Sequence, residues 1–154
     1  MGTIASRLED LGITLPTPAK PVANYVAYTM SGNLVFISGQ VPYGLDGLEY
    51  QGKVGADLTT EDGVAAARLC AINILAQLRA ALDGDLERVV RCLKLGGFVN
   101  AVPDFADHPA VVNGASNLMV EVLGDRGRHA RFAVGARSLP LNVAVEVDAI
   151  FEVR

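Results

Sequence analysis

The stretch that most constrains this chain is residues 127–154, GRHARFAVGARSLPLNVAVEVDAIFEVR. Its second half alternates without a break. Val143, Val145, Val147, Ala149, Phe151 and Val153 fall on one face, and Ala144, Glu146, Asp148, Ile150 and Glu152 on the other. Such alternation predicts a strand with one apolar face. In the first half, Arg131, Ala133, Gly135 and Arg137 share one side and Phe132, Val134 and Ala136 the other. Residues 138–142 join the halves, with Pro140 marking a turn because it cannot continue a ladder. The stretch therefore reads as a β-hairpin that closes the fold and brings Arg131 and Glu146 into one neighbourhood. That pairing of a fixed cation with a carboxylate is the main chemical hint in the sequence.

The rest of the chain supplies the body for that hairpin. Residues 3–11 read as a short helix capped by Thr3 and ended by Gly12. Pro16, Pro18 and Pro21 deny helix and ladder alike, so residues 15–22 read as an extended linker. This divides the chain into an N-terminal helix with a Pro-rich extension (1–22) and a single domain (23–154). Residues 25–30 and 34–37 are two strands joined by Ser31-Gly32-Asn33, whose Gly and Asn accept positive φ. A long helix starts after Thr59, with Asp62 completing a weak capping box, and stops at Gly84. A third main strand, 89–99, is interrupted by Gly96-Gly97, which reads as a bulge or bend. A second helix runs from about Pro109 to Leu123. Strand, strand, helix, strand, helix, strand, strand predicts an α+β fold: a mixed sheet with both long helices on one face.

Composition excludes several classes of function. At 154 residues, half of them hydrophobic, the chain can bury a real core. A net charge of −4 with scattered Lys and Arg argues against nonspecific nucleic-acid binding. No apolar segment reaches the 18 to 20 or so residues of a membrane span, so no membrane association is expected. Cys70 and Cys92 lack metal-ligand spacing and read as two reduced, buried thiols. Together these points read as a soluble cytoplasmic protein. The high apolar fraction with few aromatics also fits apolar surface covered by another subunit.

Several local motifs, in this order, resemble the RidA family (also called YjgF, or reactive-intermediate deaminase). They are Asn24-Tyr25; the run GNLVFISGQ at residues 32–40 followed by Pro42; Asp104-Phe105; Val112-Asn113; Ala130-Arg131; Leu139-Pro140; and the run VEVDA at residues 145–149. The resemblance covers nearly the whole chain from about Ala23, and the N-terminal extension is similar to a longer subgroup. It implies a homotrimer with clefts between subunits. It implies hydrolysis of small enamine or imine acids, such as 2-aminoacrylate, to keto acids and ammonia, as metabolite damage control. It implies no metal and no cofactor. It assigns Arg131 to the substrate carboxylate, Glu146 to the attacking water, and Tyr25, Ser38, Gly39 and Asn113 to the pocket. A cysteine common in the family is Ala133 here, which removes a thiol from the site and leaves a role for the backbone.

The residues also have plainer readings. Arg131 alone would be a strand arginine on a solvated face; the resemblance makes it the anion anchor, since its planar fork matches a carboxylate. Glu146 is either the water-positioning group or part of a solvated strand face shared with Asp148 and Glu152. Tyr25 is a pocket hydroxyl or merely a β-favouring residue. Asn113 sits near a helix start, where it can also simply face solvent. His108 reads as a helix-start residue rather than a catalytic base. His129, two residues from Arg131 on the same strand face, is either a surface position or one that lines the pocket. Two functions follow: an imine deaminase, or a non-catalytic trimer that binds small carboxylate metabolites in a regulatory role. A third reading is an interaction protein whose trimer surface matters more than its clefts.

Overall fold

The computed structural model describes residues 2–18, 20–21 and 23–154; the end of the expected linker at Val22 lies outside the described residues. In chain order the elements are α1 (Ile4–Asp10), β1 (Tyr28–Ser31), β2 (Leu34–Gln40), β3 (Tyr43–Gly44), β4 (Gly47–Leu48), α2 (Thr60–Ala81), β5 (Val89–Asn100), α3 (His108–Leu123), β6 (Ala130–Ala136) and β7 (Val145–Val153). The main sheet has the order β1-β2-β7-β5-β6, mixed because β6 runs parallel to β5. The long helices α2 and α3 pack together on one face, so the α+β architecture is as expected.

The helices begin where the sequence places their caps. Thr59 Oγ1 accepts from the Asp62 amide (3.1 Å), and Asp62 Oδ2 accepts from the Thr59 amide (2.9 Å), a complete capping box. Thr3 Oγ1 accepts from the Ser6 amide and starts α1. Ile4 and Leu8 of α1 are buried in the same core as the sheet and both long helices. The 22-residue α2 corrects one expectation: it is long and apolar enough to cross a bilayer. Its apolar faces instead meet the sheet and α3, as befits a core helix.

The expected closing hairpin does not form. β7 lies in the centre of the sheet, antiparallel to both β2 and β5, and β5 separates it from β6. The physical reason is the connection. Residues 137–144 are long enough to step across one strand, about 10 Å for two strand spacings. They turn through Pro140–Asn142, with Leu141 and Asn142 at φ 59° and 56°. β6 instead pairs with β5 through the crossover helix α3, as parallel neighbours require.

The Gly96-Gly97 pair also differs from its expected bulge. Register shifts in β5 fall earlier, between Val89 and Arg91 and between Cys92 and Lys94. The glycines serve close packing: a Cβ on Gly97 would strike the Val112 side chain at 2.6 Å, so its absence lets α3 settle on the sheet. The helices thereby cover one face of the sheet over β2, β7 and β5. The other carries Phe36, Phe98 and Val134, all more than a third exposed, and Phe132 edge-on to Phe98 at 5.2 Å.

Candidate functional site

The expected site residues fall into two groups on opposite faces of the sheet. Arg131 pairs in register with buried Leu95, and so points to the helix side. There its Nη1 donates to Asn113 Oδ1 (2.8 Å) and Ser116 Oγ (3.1 Å), both on α3. Asn113 and Ser116 are three residues apart and share one helix face. A guanidinium has five N–H donors, of which Nη1 carries two. Both Nη1 protons are used, which leaves the Nε–Nη2 edge free among the described residues. Ala133 lies two residues along the same face of β6, half-buried against the core.

Glu146 belongs to the second group. It alternates with buried Val145 and Val147, and pairs with Phe98 of β5 on the open face. Gly39 lies directly beneath it: a Cβ at that position would run into the Glu146 carboxylate. The two residues line a shallow hollow of about 200 Å³ with Phe98 and Asp148. Burial, and then the neighbouring Asp148, pushes the Glu146 carboxyl above its ordinary range.

Ser38 and Tyr25 stand at the edge of this second group. Ser38 and Gly39 lie where the β2–β7 register shifts, between Ile37 and Gln40. The Ser38 hydroxyl donates to the Val26 carbonyl (2.7 Å) and its amide to the Ala27 carbonyl (2.9 Å). It therefore ties down the segment that presents Tyr25, which is 57% exposed.

Within one chain, Arg131 and Glu146 do not meet. β5 lies between their strands, and their side chains leave the sheet on opposite faces. The hairpin expectation fails here too, for the same reason as in the fold. A cleft containing both needs residues from two copies of the chain.

A further hollow, about 720 Å³, opens beyond Ala133 and is lined by Lys53, Phe105, His108 and Arg137. His108 begins α3, as expected, and its ring stands edge-on to Phe105. Among the described residues no three His, Cys, Asp or Glu side chains gather where a metal could sit.

The chain matches the family model described as "YjgF/chorismate mutase-like, putative endoribonuclease" over residues 5–153. The chain belongs to the YjgF family. Protein TCP17 of Trypanosoma cruzi is 49% identical over 152 residues, covering 98% of this chain and 94% of that protein. The solved structure of Atu1372 from Agrobacterium tumefaciens, a protein of unknown function, is 52% identical with a TM-score of 0.93, covering 98% of this chain and 92% of that one. A solved structure from Shewanella oneidensis is 38% identical with a TM-score of 0.95, covering 99% and 100%.

Two further residues lie behind Arg131, and the sequence reading singled out neither as a site residue. Ser116 carried a findable signal, being one helical turn beyond Asn113. Of the two readings of His129 the surface one fails: the ring is half-buried, with Nε2 2.9 Å from Ser116 Oγ and Nδ1 2.6 Å from the Gly127 carbonyl. Its burial depends on residues 124–127 forming a 3₁₀ turn that points the ring inward. No periodicity announces that turn.

Proposed function

We propose that this chain is a RidA-like enamine/imine deaminase. It hydrolyses small imino acids such as 2-aminoacrylate to keto acids and ammonia, in clefts between the copies of a homotrimer. The observation that carries this reading is the Arg131 guanidinium, braced on one nitrogen by Asn113 and Ser116 with a two-donor edge left free. That edge fits a carboxylate as two parallel charge-assisted hydrogen bonds. The open sheet face, with Phe36, Phe98, Phe132 and Val134, supports self-association, since an apolar patch of this kind suits a partner's surface. Association would bring the Glu146 group of one copy to the Arg131 group of the next.

The chemistry needs little beyond positioning. Protonation of 2-aminoacrylate at its terminal carbon produces an iminium whose central carbon is electrophilic. Water adds there and loses a proton to Glu146, a general base whose raised pKa also suits it to return that proton. The carbinolamine then expels ammonia and leaves pyruvate. Arg131 holds the carboxylate throughout, and the backbone at Ala133 lines the same strand face. No metal or cofactor enters any step. A cytoplasmic location goes with this reading, on two free and buried thiols.

One observation favours a second reading. Alanine at position 133 leaves the site without the family's common cysteine, which fits a trimer that binds small carboxylate metabolites without turning them over. The family description also names an endoribonuclease; the net charge of −4 gives that no support. The test is to generate 2-aminoacrylate and follow keto-acid release. Acceleration by the wild type, lost in Arg131→Ala and Glu146→Ala, is expected. No acceleration by the wild type would leave the binding reading; retained activity in Arg131→Ala would remove the anion site. Light scattering that shows a monomer would remove the shared clefts.

A further inference from the structure

Behind Arg131 runs a chain of hydrogen bonds whose directions can be deduced. It starts at the Gly127 carbonyl, 2.6 Å from His129 Nδ1. A carbonyl oxygen only accepts, so Nδ1 carries the proton. A neutral ring then has a bare Nε2, which accepts from the Ser116 hydroxyl at 2.9 Å. With its own proton committed to His129, Ser116 Oγ turns lone pairs toward Arg131 Nη1 at 3.1 Å. The order of donation is Arg131 to Ser116, Ser116 to His129, His129 to Gly127. Every proton in it has a place.

The surroundings keep the ring in that state. Burial, with the nearby Arg131 charge adding to it, holds His129 below the ordinary imidazole range, and the Gly127 carbonyl opposes this only in part. Asn113 Oδ1 takes the second Nη1 proton at 2.8 Å. The guanidinium plane is therefore fixed from one corner, and its free Nε–Nη2 edge has one orientation.

We propose that Ser116 and His129 are positioning residues for the Arg131 anion site. They hold the guanidinium so that its side-on edge, Nε with Nη2, receives the carboxylate of the ligand. This rests on Arg131 as carboxylate anchor, and not on turnover. The interaction is made alike with bound substrate and transition state, so its loss weakens binding and leaves the chemical step intact.

The experiment measures pyruvate binding by calorimetry, alongside KM and kcat for 2-aminoacrylate, in the full chain. Arg131→Ala is expected to abolish pyruvate binding. Ser116→Ala and His129→Ala are expected to weaken it about tenfold and to raise KM by a like factor, with kcat within about twofold, a pattern of lost uniform binding. His129→Gln keeps an acceptor where Nε2 stood and is expected to restore affinity to near wild type. Nitrogen NMR of the imidazole is expected to show a proton on Nδ1 and none on Nε2. Wild-type affinity in Ser116→Ala and His129→Ala, with binding lost in Arg131→Ala, overturns the positioning role and leaves the deaminase reading standing. The expected binding pattern without any turnover removes the deaminase reading and keeps the positioning role. A proton on Nε2, no rescue by glutamine, or no pyruvate binding by the wild type overturns the proposal.

Discussion

Gly39 lies against the Glu146 carboxylate so closely that no side chain fits between them. The neighbour that would have to yield is the flexible end of a glutamate rather than backbone. Gly39→Ala is therefore expected to fold with a melting temperature close to wild type. The carboxylate, however, must swing aside, and a misplacement of about 1 Å can cost on the order of a hundredfold in rate. Steady-state kinetics beside a thermal melt checks this: near-normal stability with kcat/KM down by about 10- to 100-fold is expected.

On the proposed mechanism, the protonation of Glu146 is expected to set the acid limb of activity. Its folded pKa is raised above the ordinary value near 4.5, by burial first and by Asp148 second. Activity that needs the carboxylate is lost as pH falls through the raised value, so the limb is expected above pH 4.5. Asp148→Asn removes the like charge and is expected to move the limb downward. For stability the sign is reversed. A raised acid pKa disfavours the folded state above that pKa, and the penalty fades as pH falls. Glu146→Gln is accordingly expected to match or exceed wild-type stability at pH 7, read from denaturant melts.

Gly114 on α3 faces the backbone carbonyl of Val64 on α2, where a Cβ would overlap it. Backbone cannot step aside as a side-chain tip can. Gly114→Ala should force the helices apart, at a cost of about 1–3 kcal/mol. A chemical denaturation curve with a lowered midpoint and unchanged slope is the expected outcome.

The two thiols should be inert while the chain is folded. Burial pushes Cys92 up to about 12, and Cys70, fully enclosed, lies well above 9.0. Thiolate is the reactive form, so neither is expected to react with a disulfide reagent at pH 8. Both are expected to react promptly in guanidinium chloride, which a colorimetric titration counts.

Where a residue's neighbours lie in the same element, the sequence made them legible. The alternation of Val145, Val147, Ala149 and Phe151 predicts the buried face of β7, and all four are buried. The Thr59–Asp62 cap is three residues of local chemistry and was equally plain. What could not be read was the order of strands. Adjacent strands in a chain usually pair, yet β6 and β7 are parted by β5 because the intervening eight residues turn through left-handed Leu141 and Asn142. That single difference also parts Arg131 from Glu146 by a strand, and their registers on β5, with Leu95 and with Phe98, set them on opposite faces. The bracing of Arg131 was half visible, through Asn113, and half hidden, because His129 reaches Ser116 only after the 124–127 turn is formed.

The place of β7 has a consequence for how any chain emerging amino end first acquires this sheet. β1 and β2 can pair as soon as both are made, and β5, α3 and β6 can associate as a second unit. Neither unit touches the other through a ladder until β7 slides between β2 and β5. Synthesis thus carries two exposed strand edges, one on β2 and one on β5, until β7 joins them. The same edges would bind a stray strand as readily as their own. A released chain truncated between residues 137 and 144 would keep both edges open.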